Sequence, residues 1–257
     1  MRVAILAGGF GTRLAEHTDQ IPKPMVPVAG NPILWHIMKI YSAHGHNDFT
    51  IALGYLGNVI KDYFINYHYN GRDISVDTAT GEVKIHGGAS DKWHVDLLET
   101  GLHTQTKNRV DQIARHMGDE TFMLTYGDGV SDININALLE FHRSHGKIAT
   151  MSVVRPTSRF GAVEIDGDRV AKFEEKPQLA DGWINGGFFV LEPGIKDYVS
   201  GPDAMWEHDP LENLAADGEL MAYRHEGFWG SMDSVRDLRN LEALWKAGNP
   251  PWRVWED

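Results

Sequence analysis

Two carboxylates and three cations in this sequence sit where glycine or proline controls the neighbouring backbone. The stretch AILAGGFGTRL runs from an apolar segment into Gly8, Gly9 and Gly11, then Thr12 and Arg13. Glycines there let main-chain N–H groups close on an anion, and an arginine fork suits phosphate oxygens. In IPKPM, Lys23 stands between Pro22 and Pro24. Both prolines restrict φ, and Pro24 biases Lys23 towards an extended backbone. A lysine held this way loses little freedom on meeting an anion. In TYGDG, Asp128 follows an apolar run and lies between Gly127 and Gly129; in GFWGSMDS, Asp233 precedes the last helical segment. One or two carboxylates plus phosphate oxygens form a usual donor set for Mg²⁺.

Each feature alone has a plainer reading. Strand-end glycines make tight turns, Asp-Gly is a common turn, and a lysine in a proline-rich loop is often simply solvated. Together they point to a polyphosphate clamp with a metal. FEEKP repeats the lysine-before-proline pattern at Lys176, with Glu175 beside it to accept from sugar hydroxyls. SRFGAVEI places Gly161 before a strand, and GWINGGFFVL places Asn185 and Gly186 at the start of another. These suit the walls of a polar pocket.

Several chemistries are excluded or disfavoured. GGFGTR lacks the third glycine of the dinucleotide fingerprint and the Gly-Lys-Ser/Thr ending of a P-loop. Neither GxSxG nor HExxH occurs. With no cysteine there is no disulfide, thiolate metal site or cysteine nucleophile. A formal net charge of −12 argues against nucleic-acid partners, although a local cluster of cations can still hold a small anion. No apolar run reaches the ~18–20 residues needed to span a bilayer. MRVAILAGG reads as a first strand rather than a signal peptide. The expected location is the cytoplasm, with no membrane partner.

The elements that must position these groups follow from periodicity. Residues 2–7, 48–54 and 121–129 read as buried strands, and 31–45, 56–68 and 108–118 as helices with one apolar face. Residues 72–87 read as a hairpin around TATG. Strands dominate 148–191, and the end of the chain reads as helix, strand 219–227 and closing helix 234–248. The 257 residues suit one α/β domain. Strand–helix alternation predicts a mainly parallel sheet with ligands beyond the carboxyl ends of its strands. Asp132 is expected to cap the helix through INALLEF. His36, His44, His142 and His145 are expected on helix surfaces, and Leu238, Leu241, Leu244 and Trp245 in core or interface. Trp252 and Trp255 are expected to dock on this subunit or a neighbour.

The motifs GGFGTRL, KPM, PILWHIMKIYSAHG, TYGDGV, RFGA, EKP, WINGGFFV and GFWGSMDS resemble the sugar-1-phosphate nucleotidylyltransferases over nearly the whole chain. The likeness is greatest to their glucose-1-phosphate cytidylyltransferase branch. The resemblance implies a Rossmann-like, mixed but mainly parallel central sheet flanked by helices, with a small β-rich sugar-binding portion. It implies Mg²⁺ dependence, a homo-oligomer (often a hexamer), and transfer from CTP to α-D-glucose 1-phosphate, giving CDP-glucose and pyrophosphate. It divides the single domain into a mainly nucleotide-binding half (1–147), a mainly sugar-phosphate half (148–233) and a C-terminal helix and tail (234–257).

Carried over residue by residue, Leu6, Ala7, Gly8, Gly9, Phe10, Gly11, Thr12 and Arg13 would hold base and phosphates, and Lys23 the phosphates. Thr104, Arg109 and Gly127 would meet the nucleotide; Asp128 and Asp233 would hold the metal. Gly161, Glu175, Lys176, Asn185 and Gly186 would face the sugar phosphate. Arg13, Lys23, Asp128 and Asp233 would carry the catalysis. One departure stands out: family members read Thr-x-Thr-Gly-Gly-Arg where this chain reads TQTKNR, with Lys107 and Asn108 in place of the glycines. Another nucleotide or phosphorylated acceptor, or a relative that binds nucleotide-sugar without catalysis, therefore stays open at this point.

Overall fold

β1 (Val3–Leu6) is the strand that the opening motif predicts, and all four of its side chains are buried. They alternate: Val3 and Ile5 enter one apolar cluster, Ala4 and Leu6 a second. A strand buried on both faces belongs at the centre of a layered α/β fold. The structure is a computed structural model that describes residues 1–14, 18–87, 91–156, 162–166, 169–174 and 182–256.

Around β1 lie β4 (Asp48–Leu53) and β8 (Phe122–Tyr126), both parallel to it, with β7 (His94–Glu99) parallel beyond β4. The other side adds β13 (Ile184–Leu191), β10 (Ala149–Val154) and β14 (Leu220–His225), in the order β14-β10-β13-β8-β1-β4-β7. β13 runs antiparallel to both its neighbours, whereas β10 and β14 are parallel to each other. The sheet is thus mixed and mainly parallel, as the sequence implies.

Four helices contribute to the cluster beneath Val3 and Ile5: α1 (Ile33–Ala43), α2 (Gly57–Ile65), α4 (Ile135–His145) and α7 (Val235–Lys246). On the opposite face lie α3 (Thr106–Met117), the short α5 (Lys196–Val199) and α6 (Asp209–Ala216). Short pairs decorate this frame: β2 (Pro27–Val28) with β3 (Asn31–Pro32), β9 (Gly129–Ser131) with β15 (Trp229–Ser231), and β11 (Ala162–Asp166) with β12 (Arg169–Glu174). The predicted hairpin around TATG forms from β5 (Asp73–Val76) and β6 (Val83–His86). Its register sets Ile74 opposite Ile85 and Val76 opposite Val83, so these four apolar side chains share one face. All four are exposed, by 40% or more. Among the described residues no helix is long and apolar enough to cross a membrane.

Three local expectations need correction. Asn134, not Asp132, caps α4: its side chain accepts from the Ala137 N–H at 3.0 Å. Asp132 instead lies 2.9 Å from His225 Nε2, which ties it to the end of β14. Second, Lys23 is not extended. It opens a short 3₁₀ turn, Lys23–Met25, closed by Met25 N–H to Pro22 O at 2.8 Å and Val26 N–H to Lys23 O at 3.1 Å. Those bonds, with the ion pairs that Lys23 makes in the cleft, outweigh the pre-proline preference. Third, His36 and His142 are buried rather than on helix surfaces. His142 bridges Thr150 Oγ1 at 2.8 Å and Glu192 Oε1 at 3.0 Å, so burial leaves neither ring nitrogen unsatisfied.

The C-terminal tail docks on this chain's own body. Trp252 is fully buried, Trp255 nearly so, and both join the cluster that also holds Leu238 and Leu241. Trp252 stacks on Phe228 at 5.6 Å, and Trp255 meets Trp35 edge-on at 5.6 Å. His36 lies at their centre. Its Nε2–H donates to Val28 O at 2.9 Å, and its Nδ1 accepts from the Trp252 indole N–H at 3.4 Å. A second proton on the ring would face that N–H, and burial pushes the His36 pKa down from 6.5 to about 4.

In the unfolded chain His36 regains its ordinary pKa and binds a proton that the folded chain refuses. The stability from neutral His36 is therefore complete above pH 6.5 and is lost as pH falls towards 4. The loss should reach ~3 kcal/mol at the acid end. Thermal melts followed by tryptophan fluorescence should show a descending acid limb that His36→Gln flattens. An identical limb in the variant would contradict this account.

Candidate active site

Asp128 and Asp233 are brought together by one small ladder. β9 and β15 pair with Gly129 opposite Ser231, and the ladder continues through Met232 N–H to Asp128 O at 2.9 Å. Asp128 lies just before β9 and Asp233 just after β15, so both carboxylates emerge at the same end. Ser234 starts α7 directly behind them: its side chain and that of Asp237 form a capping box, which fixes the chain's exit. Lys23 completes the group from its 3₁₀ turn, with Nζ 2.5 Å from Asp128 Oδ2 and 2.6 Å from Asp233 Oδ1. Burial works against charge on Lys23, but the two carboxylates outweigh it and hold the ammonium above the ordinary lysine pKa.

These three side chains line a cleft of about 460 Å³ at the carboxyl ends of the parallel strands. Leu6, Ala7, Gly8, Gly9, Phe10, Gly11 and Thr12 form another wall, and Thr104, Arg109 and Gly127 complete the expected nucleotide side. Gly127 donates its N–H to Leu6 O at 3.0 Å, which joins the ends of β1 and β8. A Cβ on Gly127 would stand 2.8 Å from Leu6 O and 2.9 Å from Pro24 Cγ, so the Lys23 turn packs against bare backbone. The backbone of Arg13 lies in the short 3₁₀ turn Thr12–Leu14 that continues this wall.

Arg109 frames the cleft with its fork turned towards the protein. It donates to Gly8 O at 3.1 Å, Leu53 O at 2.8 Å, Leu102 O at 3.5 Å and the Thr100 hydroxyl. It thereby pins three strand-end loops: after β1, β4 and β7. Lys107 and Asn108 do not line the cleft. They face the segment after α5, with Lys107 Nζ donating to Pro202 O at 3.2 Å and Asn108 Nδ2 to Gly201 O at 3.4 Å.

Asn185 and Gly186 stand beside this cleft rather than in its wall. Asn185 Nδ2 donates to the Tyr126 hydroxyl at 3.1 Å, and Gly186 O accepts from Trp229 Nε1 at 2.8 Å. Gly161, Glu175 and Lys176 lie outside the described residues. Sequence reasoning does not single out Pro24, His103, Gln105, Tyr126 or Met205, all of which line the cleft. Pro24 and Tyr126 belong to the KPM and TYGDGV motifs, which carry the signal that could have found them. Met205, half-exposed at the rim, carries no sequence signal.

The donor chemistry fits a hard divalent cation. Two carboxylates, separated widely in sequence, converge on one positive charge, and phosphate oxygens would supply the remaining positions. Among the described residues no three His, Cys, Asp or Glu side chains gather into a protein-only cage. A metal here would be held by these two carboxylates, with phosphate oxygens and water as its usual further ligands. The same cleft offers glycine backbone and an ammonium to a polyphosphate, the elements of electrostatic rather than covalent catalysis.

The chain belongs to the nucleotidyl transferase family, whose model matches residues 2–249. It is 48% identical over 257 residues, the whole of both chains, to glucose-1-phosphate cytidylyltransferase of Salmonella typhi. It is 44% identical over 256 residues to the probable glucose-1-phosphate cytidylyltransferase of Bacillus subtilis (strain 168), covering 99% of this chain and 100% of that one. Among solved structures, HddC from Yersinia pseudotuberculosis superposes with a TM-score of 0.70 over 95% of this chain and 99% of its own, at 24% identity. That last likeness shows the fold. The protein is a nucleotidyltransferase.

Gly127→Ala should lower stability by ~1–3 kcal/mol, because the added methyl has only backbone and a proline ring to displace. Denaturant unfolding measures it, and wild-type stability would show that the β1–β8 junction has room to spare.

Proposed function

We propose that this enzyme joins CTP to α-D-glucose 1-phosphate, forming CDP-glucose and releasing pyrophosphate. The observation that carries the reading is Lys23 held between Asp128 and Asp233 beneath the Gly8–Thr12 wall. The full-length likeness to glucose-1-phosphate cytidylyltransferases supports the choice of substrates.

A sugar 1-phosphate has a second pKa near ~6, by analogy with phosphorylated side chains, and is largely dianionic at neutral pH. Its oxygen therefore attacks without a general base. A bond forms from that oxygen to the α-phosphorus, the bond from the α-phosphorus to the β-phosphate oxygen breaks, and pyrophosphate leaves with the electron pair. What the protein supplies is alignment and compensation of negative charge. The glycine backbone between Leu6 and Thr12 receives base and phosphates, with Thr104 and Gly127 closing the nucleotide side. Lys23, kept cationic by its two carboxylate neighbours, and Arg13 balance the triphosphate. Asp128 and Asp233 would hold Mg²⁺, which when bound would add further neutralisation of phosphate charge. We assign Gly161, Glu175, Lys176, Asn185 and Gly186 to the acceptor, with residues 1–147 mainly for nucleotide and 148–233 mainly for sugar phosphate.

Lys107 and Asn108 bear on the nucleotide only through the wall they brace, since their side chains turn to residues 201 and 202.

Two outcomes test the reading. Pyrophosphate release from a panel of nucleoside triphosphates and sugar phosphates should favour CTP with α-D-glucose 1-phosphate. Lys23→Ala and Asp128→Ala should each lower kcat/KM by at least ~10²-fold, the scale of one lost electrostatic stabiliser. Near-wild-type turnover in either folded variant overturns the site assignment.

The chain also self-associates in this reading, and the surface that supports it is the β5–β6 hairpin. A two-stranded hairpin is marginal alone, and this one turns Ile74, Val76, Val83 and Ile85 outward together. A second copy of the chain is the occupant we assign to it. Light scattering should give a mass above the 28.8 kDa of one chain, lowered by Ile74→Asp combined with Val83→Asp. A monomeric wild type, or an unchanged mass in the variant, contradicts the assignment.

A further inference from the structure

Glu207 belongs to none of the motifs that mark the cleft. It lies in the segment that joins α5 to α6, and its carboxylate spans two residues of the cleft wall. Oε1 accepts from the Tyr126 hydroxyl at 2.7 Å, and Oε2 accepts from the Thr106 hydroxyl at 3.1 Å. Tyr126 stands at the end of β8, one residue before Gly127, while Thr106 opens α3 beside the expected nucleotide contacts. The Tyr126 oxygen also accepts from Asn185 Nδ2 at 3.1 Å, and Asn185 Oδ1 accepts from the Gly187 N–H at 2.8 Å. Thr106 Oγ1 accepts in turn from the Trp206 N–H at 2.8 Å.

Glu207 sets the direction of the two hydroxyl bonds at the centre of these contacts. An ionised carboxylate only accepts, so both hydroxyl protons point to it. Each hydroxyl oxygen is then left to accept from the N–H on its other side. That sense is the one in which Asn185 presents its NH₂ to Tyr126 and its carbonyl oxygen to the backbone. The Tyr126 ring has little room to move: a Cβ on Gly187 would stand 2.7 Å from its Cδ2. Burial first, then the charge of Glu207, holds the Tyr126 hydroxyl well above its ordinary pKa, so it stays a donor.

We propose that Glu207 is a positioning residue that sets the nucleotide wall, through Thr106, and the sugar-phosphate wall, through Tyr126 and Asn185, from a single carboxylate. The inference rests on the assignment of CTP and glucose 1-phosphate to these two sides. It adds a residue that touches neither substrate yet fixes the spacing between them. The loop that carries Glu207 is itself tied to α3, by Gln105 N–H to the Asp203 carboxylate at 3.0 Å and Lys107 N–H to Ala204 O at 3.0 Å. Lys107 and Asn108 add their side-chain bonds to the same loop.

Glu207→Gln tests the proposal, because it keeps volume while turning one of the two acceptor oxygens into an NH₂ donor and removing the charge that strengthens the other bond. Steady-state pyrophosphate release should show KM for CTP and KM for glucose 1-phosphate both raised by about tenfold or more, a loss on the scale of one charged hydrogen bond. Thermal stability should change little beside that. Tyr126→Phe, which removes one oxygen, should raise KM for glucose 1-phosphate far more than KM for CTP. Thr106→Val should do the reverse. Combining Glu207→Gln with Tyr126→Phe should add little to the sugar-phosphate defect, since both break one link. Unchanged KM for both substrates in a folded Glu207→Gln overturns the proposal, as does a loss of activity confined to kcat. If Glu207→Gln fails to fold, the opposed KM effects of Tyr126→Phe and Thr106→Val decide it, and equal effects on both substrates overturn it. A wild-type enzyme that releases no pyrophosphate from CTP and glucose 1-phosphate refutes instead the substrate reading on which the proposal stands.

Discussion

The Lys23 ammonium, shared between carboxylates 105 and 210 residues away in sequence, is the contact on which the rest of the structure turns. Two acids this close would repel each other, and the cation between them offsets that repulsion in a partly buried setting. Holding that geometry requires three unrelated devices. The β9–β15 ladder aligns the acids, the capping box of α7 fixes the exit behind Asp233, and a 3₁₀ turn packed on Gly127 aims the lysine. The lysine turn lies far in sequence from both halves of the ladder. The central sheet is what makes them neighbours, because β1 and β8 lie side by side and end at the same edge.

Arg109 is a second constraint of the same kind, applied to backbone rather than to charge. By donating to the ends of three strand-end loops it makes the floor of the cleft one piece. A buried guanidinium spent on carbonyls stabilises the frame that receives phosphates, while Lys23 and the carboxylates face the ligand itself. Electrostatics and architecture are in this way divided between different cations.

Much of this is legible in the sequence. Strand ends marked by glycine, Asp128 after an apolar run and Asp233 before a helix all carry local signals, and their common location follows from the rule that ligands sit at the carboxyl ends of parallel strands. Glu207 and Met205 are not legible. Their partners lie far off along the chain, and no spacing or composition marks a loop residue that acts through a tyrosine. His36 misleads because polarity is a poor guide to exposure. The ring follows the spacing of Ile33, Ile37 and Ile40 on α1, and a carbonyl and an indole N–H satisfy both its nitrogens. Lys23 misleads because the pre-proline preference is weak beside two ion pairs and two turn-closing bonds. Local propensity gives way where tertiary contacts are strong.

The reversed direction of β13 has a consequence for how the ligand edge is built. Every parallel strand delivers its end to the ligand edge, so changing the residues beyond that end risks the loop that leads to the next helix. β13 delivers its beginning there, at Asn185 and Gly186, while its far end, Phe188–Leu191, pairs with β8 deep in the sheet. The connection that enters β13 therefore arrives at the same edge at which β1, β4 and β8 end. A single antiparallel strand in this position brings an incoming connection to an edge otherwise built from outgoing ones.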